Sequence, residues 1–411
     1  MHGQKISVLT ATVGAVMAAI ALAGDWPQFL GPTRNGVSLE TGLLSSWPAE
    51  GPPRLWEKTI GAGFSAPIVS AGRVIIFHRL GNEEIVQCMD AATGQDIWKH
   101  AYASHYQDDF GFDEGPRSTP LIACNRVFTL GAEGTLTCLL FDSGKEIWQR
   151  NLSQDYQVQK GFFGVATSPL LESSRLLVNV GGKGAGIVAF DPDTGKEVWK
   201  ATDHDASYSS PVGATFHARR IVVFFTREGI VMLDPQDGKV SYSKHWRARI
   251  HASVNAATPL IDGDCIFISA CYGTGAILLH VGDERVQEVW SGDGIMSNHY
   301  STCVVHRGFL YGFDGRQEEG AKLRCVELKT GKERWTCERS GCGSIILAEE
   351  KLIILNELGE LVLADAAPEA YRERARAEVL RKPCRSGLAL ANGRLYARGL
   401  EKLVCWNLVR K

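Results

Sequence analysis

The chain has 411 residues, 45% of them hydrophobic, which is enough to bury the core of one large domain or of two ordinary ones. Its formal net charge is −2 and no block of Lys and Arg stands out, so the sequence argues against nucleic acid as a partner. The 44 glycines suit a protein of many short strands joined by tight turns.

Residues 1–23 predict a secretory signal peptide. Lys5 precedes the apolar run ISVLTATVGAVMAAIALA, whose end, Ala21-Leu22-Ala23, matches a small-residue cleavage site. Since this run approaches the ~20 residues that span a bilayer, an uncleaved membrane anchor is the alternative. We expect an exported protein, periplasmic or extracellular, with no transmembrane segment after cleavage. Its mature chain would begin near Gly24, and residues 24–52 would form an N-terminal extension.

One unit recurs along the rest of the chain. The segments ATGQDIW, DSGKEIW, DTGKEVW and KTGKERW begin at residues 92, 142, 193 and 329, and weaker copies end at Tyr242 and Trp290. The aromatic ends from Trp98 to Trp335 follow one another at intervals of 43 to 51 residues. Patterns for an inner, a second and a third strand each occur eight times, which is typical of four-stranded propeller blades. The sequence therefore predicts an all-β, eight-bladed propeller over residues 53–411.

Ring closure is predicted from a missing strand. The chain ends after the third strand of the eighth unit, whereas Pro53–Thr59 has the pattern of an outer strand with no unit ahead of it. We expect Pro53–Thr59 to complete the last blade, which would leave no free sheet edge. One segment conflicts locally, because Pro368–Leu380 has helix-forming composition. The register requires the outer strand of blade 7 there, and we predict a strand.

The repeat pattern A-x-D-x-x-T-G-K-x-x-W resembles that of the PQQ-repeat propellers. This family includes pyrroloquinoline-quinone-dependent alcohol dehydrogenases and BamB-like scaffolds of outer-membrane assembly. The segment DWPQFLGPTRNGVS, residues 25–38, is similar to the start of many exported bacterial members. The resemblance covers residues 25–408 and implies a fold rather than a function, since one fold hosts both enzymes and scaffolds. The tryptophans that end the repeats are interpreted as structural docking residues between blades: Trp98, Trp148, Trp199, Trp290 and Trp335.

By this resemblance, the residues just before each inner strand line the mouth of the central channel, where the family binds its ligands. The polar residues expected there are Glu114, Arg117, Asp205, Tyr208, Asn255, His299, Tyr300, Arg339 and Arg385. They predict a funnel for an anionic or hydroxylated ligand, in which Arg117 and Arg385 could clamp a carboxylate. The alternative is a set of solvated loop ends. His299 and Asp205 are the catalytic candidates, with His299 as a general base or only a hydrogen-bonding group.

The choice between enzyme and scaffold depends on a cofactor site. By resemblance, a dehydrogenase would need PQQ, a Ca²⁺ ion and surfaces that sandwich the quinone. Glu114, Asp205 and Asn255 could supply oxygen ligands to Ca²⁺. The sequence has no vicinal cysteine pair to stack on the quinone and no C-x-x-C-H motif for haem. We therefore expect a monomeric envelope scaffold that binds a small ligand or an envelope protein through the funnel. PQQ-dependent oxidation of alcohols or sugars is the alternative.

Two further predictions concern the cysteines and one loop. Four cysteines lie inside apolar strand patterns and are interpreted as small buried hydrophobes: Cys88, Cys138, Cys325 and Cys405. Cys342 and Cys384 precede neighbouring inner strands at nearly the same height, so a disulfide, a soft-metal pair and two free thiols all remain open. Residues 99–115 contain His and Asp without metal-ligand spacing and predict a solvated loop over the mouth.

Overall fold

The computed structural model describes residues 24–410, which form eight antiparallel blades of four strands each, and one blade carries a fifth, parallel strand from the N-terminal region. The predicted eight-bladed propeller is therefore confirmed. The predicted signal peptide, residues 1–23, lies outside the described residues. Between residues 24 and 410 no helix is long and apolar enough to cross a membrane. Two strands precede blade 1: β1 (Val37–Ser38) and β2 (Arg54–Thr59).

Within each blade the strands follow one another from the channel outward. Blade 1 has β3 (Ile68–Ser70), β4 (Arg73–Leu80), β5 (Glu83–Asp90) and β6 (Asp96–Ala103). Blade 2 has β7 (Leu121–Ala123), β8 (Arg126–Leu130), β9 (Thr135–Leu140) and β10 (Glu146–Asn151), followed by the single-turn helix α1 (Leu152–Asp155). Blade 3 has β11 (Leu170–Glu172), β12 (Arg175–Gly182), β13 (Ala185–Phe190) and β14 (Glu197–Ala201). Blade 4 has β15 (Val212–Phe216), β16 (Arg219–Phe225), β17 (Gly229–Leu233) and β18 (Val240–His245).

The second half of the ring repeats this order. Blade 5 has β19 (Leu260–Asp262), β20 (Cys265–Ala270), β21 (Gly275–Val281) and β22 (Val286–Gly292). Blade 6 has β23 (Val304–His306), β24 (Phe309–Asp314), β25 (Lys322–Glu327) and β26 (Glu333–Cys337), with a 3₁₀ turn at Gln317–Glu319. Blade 7 has β27 (Gly343–Ala348), β28 (Lys351–Asn356), β29 (Glu360–Asp365) and β30 (Glu373–Glu378). Blade 8 has β31 (Ala389–Ala391), β32 (Arg394–Arg398) and β33 (Lys402–Asn407).

Blade 8 is completed by the N-terminal strand β2, as predicted. Strand β2 pairs antiparallel with β33, with Glu57 opposite Val404 and Lys58 opposite Leu403. The ring thus closes with strands from both ends of the chain, and β33 is left with no free edge. The helix-like segment 368–380 also contains the predicted strand, since β30 pairs antiparallel with β29. Its local helix propensity is overridden by the sheet register.

The second and third strands of each blade are covered on both faces by neighbouring blades. Strands β13 and β17, for example, are buried at every position. Their sequences are therefore continuous apolar runs rather than the alternating pattern of a half-exposed sheet. Outer strands such as β14 are partly exposed along their whole length. The core is accordingly a ring of interfaces between blades.

Hydroxyl groups tie the inner strands to one another around the channel. At five successive junctions, the Ser or Thr before an inner strand accepts a hydrogen bond from the equivalent backbone N–H of the preceding blade. The accepting side chains are Thr119, Ser168, Ser210, Thr258 and Thr302, at 2.9–3.4 Å. These bonds satisfy backbone donors that face away from their own sheet. They account for the recurrent Ser/Thr before the inner strands.

Tryptophans tie the outer parts of the blades together. In six blades, the indole N–H of a tryptophan on the outer strand donates a hydrogen bond to a backbone carbonyl of the following blade, at distances of 2.8–3.2 Å. The pairs are Trp56 with Ala91, Trp98 with Phe141, Trp148 with Pro192, Trp199 with Pro235, Trp290 with Leu328 and Trp335 with Ala367. The structure thus places all five tryptophans interpreted as docking residues at contacts between blades. The four cysteines interpreted as small hydrophobes each lie opposite one of these tryptophans and are fully buried.

The segment of residues 25–38, the channel segment, lies in the centre of the ring. Trp26 pairs with Val69 in blade 1, and the Pro27 carbonyl accepts from Ile122 in blade 2. Strand β1 then pairs in parallel with β27 of blade 7. Since the inner edges of these blades face the central axis, a segment that bonds to all of them must lie in the channel. From the sequence, residues 24–52 were expected only to form an N-terminal extension, so this arrangement was not predicted.

Candidate functional site at the channel mouth

The loops that join each outer strand to the next inner strand surround one end of the channel, the mouth. The backbone N–H groups of residues 64–65 donate to the Pro116 carbonyl of the next blade, at 2.9 and 3.0 Å. Residues 208–209 make the same pair of bonds to Asn255, at 3.0 and 3.2 Å. Positions predicted to be equivalent from the sequence therefore make equivalent contacts at the mouth in these two junctions.

Asp108 organises the loop over the mouth. Its Oδ1 accepts from the backbone N–H groups of Phe110 and Phe112, at 2.8 and 3.3 Å. Its Oδ2 lies 2.5 Å from Nη2 of Arg117, and the Asp108 side chain is completely buried. From the sequence this loop, with Asp108, was expected to be solvated, and the burial of Asp108 against Arg117 was not predicted. Only the acid-rich run DDFGFDEG hinted at it, because an Asp two residues before a turn can accept from the turn backbone.

Arg117 is held inside the protein rather than left free for a ligand. Its guanidinium faces the rings of Phe64, Tyr106 and Phe163 at 5.6, 5.6 and 5.9 Å from the ring centroids. It also donates to the Asp113 carbonyl at 2.9 Å, and its side chain is only 10% exposed. Cation–π contacts and the Asp108 carboxylate thus stabilise its charge internally.

Four phenylalanines form what we call the aromatic cover of the mouth: Phe110, Phe112, Phe162 and Phe163. The ring centroids of Phe110 and Phe163 are 5.2 Å apart, and those of Phe112 and Phe163 are 6.0 Å apart. Such distances are typical of favourable aromatic pairs. Tyr208 anchors the cover, because its hydroxyl accepts from the Phe163 N–H at 3.1 Å. Phe110 and Phe112 remain 53% and 45% exposed.

Two further arginines flank the aromatic cover. The Arg385 guanidinium lies 5.0 Å from the Phe112 ring centroid, and its Nε is 3.8 Å from a carboxylate oxygen of Glu357. The Arg227 guanidinium lies 5.5 Å from the Phe162 ring and donates to backbone carbonyls of the loop at residues 251–253. Burial lowers the pKa of Arg227. Arg117 and Arg385 therefore both touch the cover, each with a carboxylate of its own.

His299 is committed to two neighbours. Its Nδ1 lies 2.5 Å from Oε1 of Gln317, and its Nε2 lies 2.8 Å from the Tyr272 hydroxyl. Burial lowers the pKa of His299, which favours the neutral ring. To act as a general base, the ring would have to give up one of these contacts. The second catalytic candidate, Asp205, is exposed, and only its backbone carbonyl is engaged, by the Arg227 N–H.

The remaining predicted residues have separate environments. The Tyr300 hydroxyl is buried, and desolvation raises its pKa well above the ordinary value. Arg339 is exposed at the rim. Cys342 and Cys384 are free thiols: Cys342 Sγ lies 3.2 Å from Ser301 Oγ, and Cys384 Sγ lies 3.4 Å from the Arg381 carbonyl. Of these four residues, Arg339 is the one that is exposed.

The oxygen groups suggested for Ca²⁺ do not form a site. The Asn255 amide donates to three backbone carbonyls, those of Thr226, Arg227 and Trp246. The Glu114 carboxylate points to Arg79 at 3.8 Å and is largely exposed. Within residues 24–410, no group of three or more His, Cys, Asp or Glu side chains is arranged to hold a metal. The residues present therefore do not fit the calcium–quinone centre that the resemblance implied.

The repeated blades define the class of the protein as a PQQ-like repeat β-propeller. A family model described as "Outer membrane protein assembly factor BamB" matches residues 82–337, well over half of the chain. The chain belongs to this BamB-like family of propellers.

Solved structures show the same fold at low sequence identity. BamB from Moraxella catarrhalis is 15% identical, with a TM-score of 0.61 over 86% of this chain and 97% of that one. Quinohemoprotein alcohol dehydrogenase from Comamonas testosteroni is also 15% identical, with a TM-score of 0.53 over 96% and 82% of the two chains. The computationally designed Ika8 protein is 13% identical, with a TM-score of 0.58 over 87% and 100%. No curated protein sequence matches the chain. At these identities the likeness establishes the fold alone.

Proposed function

We propose that this protein is an exported scaffold of the cell envelope that binds another protein through the aromatic cover at the channel mouth. The observation that carries this proposal is the exposure of Phe110 and Phe112, which lie together over Phe163 with Arg385 against them. Exposed aromatic rings beside arginines are the composition of interface centres. Single scattered apolar side chains would need no such explanation.

A protein partner suits this mouth better than a small anion. Arg117, Asn255 and His299 already have internal hydrogen-bonding partners. The channel segment also runs through the channel, bonded to the inner edges of blades 1 and 7. A broad contact over the rings requires none of these groups to be released, and it buries apolar surface that now faces water. The family description and the predicted signal peptide support the envelope as its location.

The proposal is tested by site-specific photo-crosslinking in the cells that produce the full-length protein. A photoreactive phenylalanine replaces Phe112 at the mouth or Leu39 at the opposite end of the ring, where Leu39 is 88% exposed. We expect a discrete protein adduct from position 112, weakened by Phe110→Asp, and none from position 39. The same adduct from both positions, or an adduct insensitive to Phe110→Asp, would contradict docking at the aromatic cover.

The dehydrogenase alternative has its own test. PQQ and Ca²⁺ are added to the purified protein, and the melting temperature and the reduction of an artificial electron acceptor by alcohols are measured. A cofactor that binds only the folded state must raise the melting temperature. We expect neither a shift nor alcohol-dependent reduction. Reduction of the electron acceptor that requires both the quinone and an alcohol would show that the protein is a dehydrogenase and would overturn the scaffold proposal.

A further inference from the structure

A cleft of about 510 Å³ opens between blades 6 and 7. Its walls include Phe309 and Tyr311 of β24, Lys351 of β28, and the turn at residues 365–369 between β29 and β30. It adjoins the turn between the inner and second strands of blade 6, so it lies at the opposite end of the strands from the mouth. Its volume falls within the range of small-molecule sites, about 300–1,000 Å³.

The cleft exists because two features of other blade junctions are missing here. In blades 1 and 2 the second strand begins with an arginine that reaches the next blade. Arg73 donates to the Phe141 carbonyl at 3.0 Å, and Arg126 contacts Asp193 at 2.7 Å. Phe309 occupies this position in blade 6. The turn it faces reads DAAPEA from residue 365 and has lost the glycine of the repeat. Neither side of the junction fills the space.

The hydroxyl of Tyr311 is left without an acceptor beside this space. In blade 8 the equivalent Tyr396 donates to the Ala91 carbonyl of the next blade at 3.0 Å. Tyr311 is fully buried, yet its hydroxyl has no hydrogen-bond partner in the described protein. Cys325 lies beside it, as Cys405 lies beside Tyr396, but a thiol is a weak acceptor. A buried donor without an acceptor is costly, about 1–3 kcal/mol, so this hydroxyl needs an explanation.

Four carboxylates and three cations line the cleft, and two ion pairs among them are fixed. Arg374 holds Asp365 through two hydrogen bonds of 2.8 and 2.6 Å, and Arg307 pairs with Glu350. The Glu349 carboxylate accepts from the N-terminal segment, at Gly42 and Leu43. Fixed ion pairs still offer spare donors and lone pairs, whereas an added net charge would disturb them. Phe309 adds a ring as an apolar wall.

We propose that the cleft between blades 6 and 7 is a second binding site, and that it takes a neutral, polyhydroxylated molecule such as a small sugar. The Tyr311 hydroxyl is buried in the unliganded protein, so the turn at residues 365–369 shifts on binding, and an oxygen of the ligand then accepts from this hydroxyl, as the Ala91 carbonyl accepts from Tyr396. Other hydroxyls bridge the Arg374–Asp365 and Arg307–Glu350 pairs at the rim. One sugar face packs against Phe309. This site is separate from the mouth and does not depend on the function proposed there.

The chain contains a built-in reporter for this test. The indole N–H of Trp335 donates to the Ala367 carbonyl of the cleft wall at 2.8 Å, and Trp56 makes the equivalent bond to Ala91 at 3.2 Å in a junction whose tyrosine hydroxyl is satisfied. The ¹⁵N-labelled protein, with its 10 tryptophans, is titrated with maltose or N-acetylglucosamine. Glycylglycine is the zwitterionic comparison. Indole signals are assigned with Trp335→Phe and Trp56→Phe.

We expect a neutral sugar to shift the Trp335 signal with saturation and to leave the Trp56 signal in place. Tyr311→Phe keeps the ring and should weaken the affinity about five- to tenfold, the loss expected for one neutral hydrogen bond. Tyr396→Phe is the matched control and should bind as the wild type does. The site is refuted if no sugar moves the Trp335 signal up to tens of millimolar. Saturation by glycylglycine alone refutes the ligand class, and unchanged affinity in Tyr311→Phe refutes the role of the hydroxyl.

Discussion

The indole ring of Trp98 lies so close to Gly144 of the next blade that a Cβ atom at position 144 would stand 2.4 Å from it. Glycine is favoured at position 144 for a second reason, because the backbone there adopts a φ of +70°, which residues with a Cβ rarely adopt. We predict that Gly144→Ala lowers the free energy of unfolding by about 2–4 kcal/mol, the sum of backbone strain and overpacking. Gly72→Ala is the matched control, since Gly72 has a φ of +74° but open space around it. Gly72→Ala should lower the free energy of unfolding only through backbone strain, by about 1–2 kcal/mol. Urea denaturation measures both, and equal losses would show that the Trp98 contact is unimportant.

Trp98 itself should be among the most sensitive positions of the fold. It is 9% exposed and bonds to the Phe141 carbonyl at 2.9 Å. Trp98→Ala opens a cavity between blades 1 and 2 and should cost about 3–5 kcal/mol. Trp98→Phe keeps most of the volume and should cost less, because it loses only part of the ring and the hydrogen bond. The urea midpoints of the wild type, Trp98→Phe and Trp98→Ala should fall in that order. An Ala variant as stable as the Phe variant would contradict a packing role for Trp98.

The ring was predictable because its signals are local and repeated. Each turn glycine and each tryptophan recurs within one blade length, so the period alone predicts the strands, and the lone strand at Pro53–Thr59 predicts the closure. The channel segment has no such period. Trp26 and Pro27 bond to different blades, so no pattern within residues 25–38 reveals their partners. Sequence could describe this segment only by its resemblance to other chains.

The mouth was predictable in position but not in chemistry. The register brings Pro116 and Asn255 to equivalent places, with Arg117 one residue after the first of them, as the backbone bonds to Pro116 and Asn255 show. Whether each side chain is free depends on non-repeating loops. Arg117 pairs with Asp108, which lies nine residues earlier in an irregular turn. The Asn255 amide donates hydrogen bonds to three backbone carbonyls. Such irregular loops follow no period, which is why the predicted funnel lacked its aromatic cover.

Residues 25–59, which include the closing strand β2, should together be essential to the fold. Trp26 and Leu43 are almost completely buried, and Trp47 packs in the same hydrophobic cluster as Ala375 of blade 7, where the outer strand has no docking tryptophan. With residues 1–24 retained, deletion of residues 25–59 removes the closing strand as well and should abolish soluble expression. Deletion of residues 25–38 should leave a soluble but less stable ring. Soluble yield and thermal midpoints test both, and a well-folded product of the longer deletion would contradict the closure by β2.

His78 should make the fold sensitive to acid. Its Nδ1 accepts from the Gly61 N–H at 3.1 Å and its Nε2 bonds to Gln87 at 3.0 Å, and burial lowers the pKa of His78 to about 4. The unfolded chain, with a histidine pKa near 6.5, takes up this proton first. The contribution of His78 is therefore complete above about pH 6.5 and is lost as the pH falls toward 4, up to about 3 kcal/mol. In urea unfolding between pH 7 and 4.5, His78→Gln should lose less stability than the wild type. Parallel pH profiles of the two proteins would contradict this origin.

The pair of Asp108 and Arg117 should control the loop that carries the aromatic cover. Arg117→Ala would leave the Asp108 carboxylate buried without its partner, at a cost of about 3–5 kcal/mol. The loop at residues 105–115 can escape this cost by opening to water, so we expect local opening rather than global unfolding. The backbone N–H groups of Phe110 and Phe112 donate hydrogen bonds to Asp108, and we expect them to exchange hydrogen much faster once the loop opens.

A double variant separates charge from packing in this loop. Asp108→Asn with Arg117→Met removes both charges while keeping similar volumes, so it leaves no unpaired ion and should restore part of the protection lost in Arg117→Ala. The thermal midpoint of the ring should change little in either variant, because the loop lies outside the packed interfaces between the strands of neighbouring blades. Hydrogen exchange followed by mass spectrometry measures residues 105–115 against the inner strands. If Arg117→Ala left this loop as protected as in the wild type, the ion pair would not be what holds the aromatic cover in place.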